Sequence, residues 1–215
     1  MPSTKTPTKD GSPTYYSSEY GEHYHSTSGA LEEANKKYSD VVGIDAYDSV
    51  SVLDVCFGLG YNTAAAVDKF TGSKIVVVGL ESYQGIIDEI VNLCEAGEYP
   101  FQCEYAMQTV AKTGRYSDEN VDVKLVMGDA RDTIKELKDE TFDVVFHDPF
   151  SPQKCPELWT EEFFKEEYRV MKKGGKLATY SCARIVRDNL KAAGFTVSDT
   201  KPVGRRAPGT MALKQ

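Results

Sequence analysis

Asp148, Pro149 and Phe150 follow one another inside the run HDPFSP, from His147 to Pro152. A carboxylate there can orient an amine or take its proton, and an adjacent aromatic ring can stack on a planar acceptor. The competing structural use of Asp148 is to cap the helix expected from Pro156. A cap, however, sits directly against the first helical turn, and Asp148 lies too far upstream. A second stretch, DVCFGLGYN (Asp54 to Asn62), holds Gly58 and Gly60. Glycines at this spacing let backbone N–H groups face a ligand, although a plain tight turn uses them equally well. Glu81 ends an apolar run, where an acidic residue accepts hydrogen bonds from two ribose hydroxyls. Asp129, in Gly128-Asp129-Ala130, places a carboxylate where an adenine amino group can donate, and Asp54 is placed to face the amino-acid part of a ligand. Thr63, preceded by Asn62, stands where a dinucleotide fingerprint wants its third glycine. The pattern therefore favours a nucleoside carrying a cationic sulfonium and no phosphate over NAD.

These residues fall at the ends of alternating elements. Apolar, β-branched runs predict strands at Ser51 to Cys56, Lys74 to Leu80, Val121 to Met127, Phe142 to Phe146 and Lys176 to Tyr180, with closing strands from Phe195. Helical stretches separate them: Asn62 to Phe70, Gly85 to Ala96, Phe101 to Lys112, Arg131 to Lys138, Pro156 to Met171 and Arg184 to Ala193. Gly174-Gly175 suits the stop of the fifth of these. Continuous apolar strands are buried on both faces and hence parallel. Right-handed crossovers then give a doubly wound α/β sheet with its ligand site at the carboxyl ends of the strands. The first 14 residues, rich in Thr, Lys, Pro and Ser, are expected to be disordered, and residues 15–215 to form one domain.

The chain has 215 residues and a net charge of −8. Its 44 C-terminal residues, from Lys172, run the other way, with ten Lys or Arg against two Asp or Glu. That end suits an anionic partner, the plain alternative being a solvated helix face. Five scattered cysteines without a C-x-x-C pair argue against disulfides and zinc, and three histidines suggest no metal cluster. No apolar run is long enough to span a membrane, and the polar N-terminus is no signal peptide. A cytoplasmic location is expected. Tyr15, Tyr16, Tyr20 and Tyr24 crowd the N-terminal part, covering the sheet edge or contacting substrate. His25 and Ser26 line the pocket or bond locally. Trp159 reads as core.

Taken together, the motifs resemble the methyltransferase domain of the MnmC family, which completes 5-methylaminomethyl-2-thiouridine at the tRNA wobble position. The resemblance rests on Tyr15-Tyr16-Ser17 and GALEEA (Gly29 to Ala34), on CFGLGYN, on DPFSPQKCPELWT (Asp148 to Thr160) and on KGGKLATYS (Lys173 to Ser181). The tail, VRDNLKAAGFTV followed by GRR, continues it. The resemblance implies a Rossmann-like class I fold, S-adenosyl-L-methionine (SAM) as methyl donor and the aminomethyl group of a tRNA uridine as acceptor. Tyr16, Phe57, Gly58, Gly60 and Asn62 would then meet SAM beside Asp54, Glu81, Asp129 and Ala130. Asp148 would be catalytic, with Phe150, Arg205 and Arg206 toward the substrate. The sequence departs from the pattern at Cys56, where the family more often has glycine, and in the enlarged segment Glu19 to Ser28. No flavin domain follows, so the chain would act as a stand-alone methyltransferase. Three alternatives stay open: a small-molecule methyltransferase, a polyamine aminopropyltransferase and a non-catalytic SAM- or RNA-binding module.

Overall fold

The computed structural model describes residues 3–203 and 207–215. Strands β1 (Ser3–Pro7), β2 (Pro13–Ser17) and β3 (Glu22–His23) form a small antiparallel sheet. A helical run follows, α1 (Ala30–Glu33), a π-helical segment (Ala34–Ser39) and α2 (Asp40–Val42). The remaining strands are β4 (Ser49–Val55), β5 (Lys74–Glu81), β6 (Arg115–Ser117), β7 (Val121–Met127), β8 (Phe142–His147), β9 (Met171–Thr179), β10 (Thr196–Asp199) and β11 (Thr210–Leu213). They make an eight-stranded sheet in the order β10-β11-β9-β8-β4-β5-β7-β6. The five central strands are parallel, while β6 and β11 run antiparallel to their neighbours. Helices α3 (Tyr61–Lys69), α4 (Gln84–Glu95), α5 (Glu104–Thr113), α6 (Ala130–Thr133), α7 (Glu161–Val170) and α8 (Arg184–Ala192) connect them.

The doubly wound sheet expected from the apolar runs is present, and its two faces bury separate cores. On β4, Val50 and Val52 pack toward α3, α4 and α5, while Leu53 and Val55 pack toward α7 and α8. This alternation is why the strand reads as a continuous apolar run: each face hides every second side chain. Chain order reverses between β4 and β8, which leaves a crevice at their carboxyl ends.

Three expectations are corrected. Residues 3–14 are not a disordered tail but β1, its turn and the start of β2, paired from Ser3↔Ser17 to Pro7↔Pro13. Their polar side chains do structural work. Ser12 Oγ accepts from the N–H groups of Ala30 (3.1 Å) and Leu31 (3.2 Å), and Asp10 Oδ2 from that of Glu32 (3.0 Å). The first turn of α1, whose own cap position is glycine, is thus capped from about twenty residues upstream. Gly174 and Gly175 do not end a helix. They form an irregularity within β9, where Phe142 opposes Met171 but Val144 already opposes Lys176. A Cβ on Gly175 would lie 2.8 Å from the Lys172 carbonyl oxygen. The helix expected from Pro156 to Met171 is a 3-10 turn (Pro156–Trp159) followed by α7, capped by Thr160 Oγ1. β6 was not anticipated; its three residues carry too little apolar pattern.

Candidate active site

The turn after β4 has Cys56, Gly58 and Gly60 in the left-handed region, at φ 66°, 54° and 69°. Alternate left-handed residues curl the backbone so that N–H groups point to one side. Gly60 must be glycine, because a Cβ would lie 2.5 Å from Met107 and 2.8 Å from the Phe57 ring. Three turn amides are already used: the Gly58 N–H donates to Glu81 Oε2 at 2.9 Å, the Phe57 N–H to the Leu80 carbonyl at 2.9 Å and the Gly60 N–H to the Phe57 carbonyl at 2.7 Å. Glu81 Oε1 accepts from the N–H groups of Ser82 (2.8 Å) and Tyr83 (2.9 Å). Burial pushes the Glu81 carboxyl up, and the Tyr83, Gly58 and Ser82 amides pull it back.

A cleft of about 600 Å³ opens above these strand ends. Gly58, Glu81, Asp129, Ala130, Asp148 and Phe150, all singled out from the sequence, line it. Four others do not. Asp54 is fully buried beneath the turn, accepting from Thr63 Oγ1 at 2.7 Å, with burial raising its carboxyl to about 7. Even-numbered β4 residues face α3, which turns Asp54 away from the cleft. Phe57 is core, packed against Gly79 and Gly60. Tyr16 lies 37% exposed, edge-on to His23, because alternation along β2 buries Tyr15 instead. Asn62 sits in the first turn of α3 and meets Asp148. Arg205 and Arg206 lie outside the described residues.

Asp129 faces the cleft but is well occupied. It caps α6 through the Arg131 N–H (2.9 Å) and pairs with the Arg131 guanidinium, whose hydrogen bonds hold its carboxyl below the usual range despite partial burial.

Asp148 follows β8, with its N–H donating to the Val55 carbonyl at 3.2 Å. The Tyr38 hydroxyl donates to Oδ1, and Asn62 Nδ2 donates to Oδ2 at 2.8 Å. Burial raises its carboxyl well above the ordinary aspartate value, Glu33 adds to the rise, and the bonds from Tyr38 and Asn62 oppose it. Such a group is a stronger base than a surface aspartate. The next residues are pinned in turn. Tyr180 donates to the Pro149 carbonyl (3.0 Å), Trp159 Nε1 to that of Phe150 (2.8 Å), and the Ser151 N–H to Glu22 Oε2 (2.9 Å). Trp159 is buried core, as its sequence context suggested.

Sequence reasoning missed Tyr38, Glu22 and Glu33. Tyr38 lies in the π-helical segment, 110 residues from Asp148, and no local pattern connects the two. The N-terminal tyrosines divide. Tyr20 stacks on Phe150 at 4.4 Å and Tyr24 meets it edge-on at 4.9 Å, so both cover the cleft. The basic C-terminal residues also divide. Lys172 pairs with Asp143 at 2.8 Å, both at the amino ends of their strands, away from the cleft. Arg187 pairs with Asp199 at 2.6 Å. Arg184, at the start of α8 just past β9, is 95% exposed and pairs with Asp188 at 3.5 Å. Among the described residues no group of three or more His, Cys, Asp or Glu is placed to hold a metal ion, and no helix is long and apolar enough to cross a membrane.

Residues 96–215 match a family described as S-adenosyl-L-methionine-dependent methyltransferase. The structure of MnmC2 from Aquifex aeolicus is similar, with a TM-score of 0.81 and 30% identity, over 99% of this chain and 70% of that one. An uncharacterized protein of Methanocaldococcus jannaschii is 33% identical over 96% of this chain and 58% of its own length. The bifunctional tRNA 5-methylaminomethyl-2-thiouridine biosynthesis protein MnmC of Polaromonas naphthalenivorans is 29% identical over 94% of this chain and 33% of its own. The chain thus spans between a third and three fifths of these two curated relatives. A spermidine synthase structure matches with a TM-score of 0.61 and 13% identity, a likeness of fold alone.

Proposed function

The chain belongs to the MnmC-type family of S-adenosyl-L-methionine-dependent methyltransferases, and from that premise we propose that it methylates the aminomethyl group of a 5-aminomethyl-2-thiouridine at the tRNA wobble position. The observation that carries this reading is Asp148, a buried carboxylate of raised basicity on the cleft, gripped at both oxygens by Tyr38 and Asn62.

SAM is the methyl donor, and its bound form supplies a methyl group made electrophilic by a positively charged sulfur. The strand ends fit it. Glu81 Oε2, which accepts only from the Gly58 N–H, keeps a lone pair for a ribose hydroxyl, while both lone pairs of Oε1 are taken up by Ser82 and Tyr83, and Asp129 with Ala130 would border the adenine. The cleft also carries Glu19, Glu22, Glu33 and Glu157, a negative field that suits a cationic ligand.

On the other side, a primary alkylammonium has a pKa near that of lysine, about 10, and is no nucleophile. Asp148 accepts its proton, and the raised carboxyl narrows the mismatch between the two groups. Tyr38 and Asn62 keep the carboxylate aimed while the neutral amine nitrogen faces the donor. Holding the two reactants in line can supply about 7–11 kcal/mol of the barrier. An aminopropyltransferase would need several unengaged acids around a polyamine. Here Glu22 is taken up by Ser151, Glu33 by Lys37 and Ser26, and Asp148 by Tyr38 and Asn62, which leaves, besides Glu81 and Asp129 on the donor side, Glu19 and Glu157 as the cleft acids outside these pairs.

For tRNA, the reading draws on exposed basic residues of the C-terminal part such as Arg184, with Arg205 and Arg206 as further candidates. The test is labelled SAM offered with bulk tRNA from cells lacking this methylation, and separately with polyamines and other small amines. Label in RNA is expected; label only in small amines would overturn the acceptor.

A further inference from the structure

The cleft wall supplied by the N-terminal segment contains a histidine with nothing to bond. His25 is 5% exposed and its ring lies flat on Tyr61, 4.9 Å away at 9°. Neither ring nitrogen has a hydrogen-bond partner among the described residues. Buried polar atoms are nearly always paired, so two orphans on one ring need an explanation. A phenylalanine would make the same stack without that desolvation cost.

His25 lines the cleft together with Glu33, Lys37 and Asp148. Burial holds its imidazole at about 4, outweighing the upward pull of Glu33, so the ring is neutral under physiological conditions. A neutral imidazole offers one donor and one acceptor. That pairing suits a neutral carbonyl or N–H edge. A phosphate is disfavoured here by the neighbouring carboxylates of Glu33 and Asp148. Next to it, Lys37 spends one of its three donors on Glu33 Oε1 at 2.5 Å, and Glu33 Oε2 accepts from the Ser26 N–H at 2.7 Å. Glu33 is thereby engaged by protein donors on both oxygens, whereas Lys37 keeps donors in hand. Glu33 and His25 share the cleft lining with Asp148, the group proposed to meet the amine.

We propose that His25, backed by the Lys37–Glu33 pair, is the subsite that reads the acceptor's heterocycle, hydrogen-bonding a carbonyl or N–H edge of a pyrimidine whose exocyclic amine meets Asp148. The inference rests on the acceptor proposed above and adds which residue recognises its ring. His25 is a specificity residue in this account and takes no part in proton transfer.

His25→Phe tests this, because it keeps an aromatic ring against Tyr61 and removes both ring nitrogens. The variant should melt at or above the wild-type temperature and bind SAM with unchanged Kd by calorimetry. Its kcat/KM for tRNA carrying aminomethyluridine should fall at least tenfold, mostly through KM, the signature of lost ground-state recognition. His25→Gln, which restores a donor and an acceptor, should recover part of the loss. Unchanged kcat/KM in His25→Phe would overturn the subsite and leave the acceptor assignment standing. A lowered melting temperature with equal loss in both variants would assign His25 to structure and overturn it as well. Wild-type protein that methylates no tRNA would instead defeat both the subsite and the acceptor on which it depends.

Discussion

The wall of the cleft made by Gly58, Glu81 and Asp129 comes from three strand ends, and the carboxylates among them are held mainly by groups a few residues away or on the adjoining strand. The opposite wall is assembled across the chain. Tyr38 reaches Asp148 over 110 residues, and Glu22 reaches Ser151 over 129. A nucleoside donor shared by many enzymes is thus met by generic strand-end geometry. In the proposed reading the acceptor side is met by the N-terminal segment, through Tyr20, Glu22, Tyr24 and Tyr38. On that proposal, conserving the fold while changing the segment would change the acceptor, in the way one fold hosts many activities.

The sharpest way to separate the two walls is Asp148→Ala. Turnover should drop on the order of a hundredfold or more, the usual size of a general-base contribution, while calorimetric SAM affinity stays within twofold. Equal loss of SAM affinity would merge the walls into one binding unit. Tyr38→Phe should cost less, about tenfold in kcat/KM, roughly the worth of one hydrogen bond to a charged group. It carries a second readout. The Tyr38 bond lowers the Asp148 carboxyl, so its removal must raise it further, and the acid limb of the pH–rate profile should move to higher pH. A limb that stays in place, or moves down, would remove Asp148 from the proton-transfer step.

The smallest expected effect is on the N-terminal cover. Burial raises the Asp10 carboxyl, but bonds from Ser12, Thr8 and the Glu32 N–H outweigh this and bring it to about 2. Because the folded value lies below the unfolded one, its contribution is present above about pH 4 and disappears as pH falls through about 2. Asp10→Ala should remove a helix cap worth about 1 kcal/mol, lowering Tm at neutral pH by about 2–4 °C. Wild type and variant should converge in acid. A pH-independent difference would trace the loss to packing instead.

The same contrast sets what could be read from the sequence. Glu81 and Asp129 were legible as cleft residues because a strand end is a local event: an apolar run stops at an acid. Asp148 was legible for the same reason. Asp54 looked equivalent on the page and is not, since the two-residue alternation of β4 turns it toward Thr63. Residues 3–14 read as unstructured because Thr, Lys, Pro and Ser lack an apolar pattern, yet Asp10 and Ser12 are fixed by amides of α1 that composition does not reveal. Gly174-Gly175 was taken for a helix stop, a use that local chemistry permits as readily as the strand irregularity that β8 imposes.

The central claim is that an amine on a tRNA uridine receives the methyl group beside Asp148. It is tested most directly by nucleoside mass spectrometry of tRNA bearing 5-aminomethyl-2-thiouridine, incubated with SAM and either wild-type protein or Asp148→Ala. The account predicts that wild type converts this nucleoside to one heavier by a single methyl substitution, with the variant leaving it unchanged. Methylation elsewhere in the RNA, or equal conversion by Asp148→Ala, would contradict it.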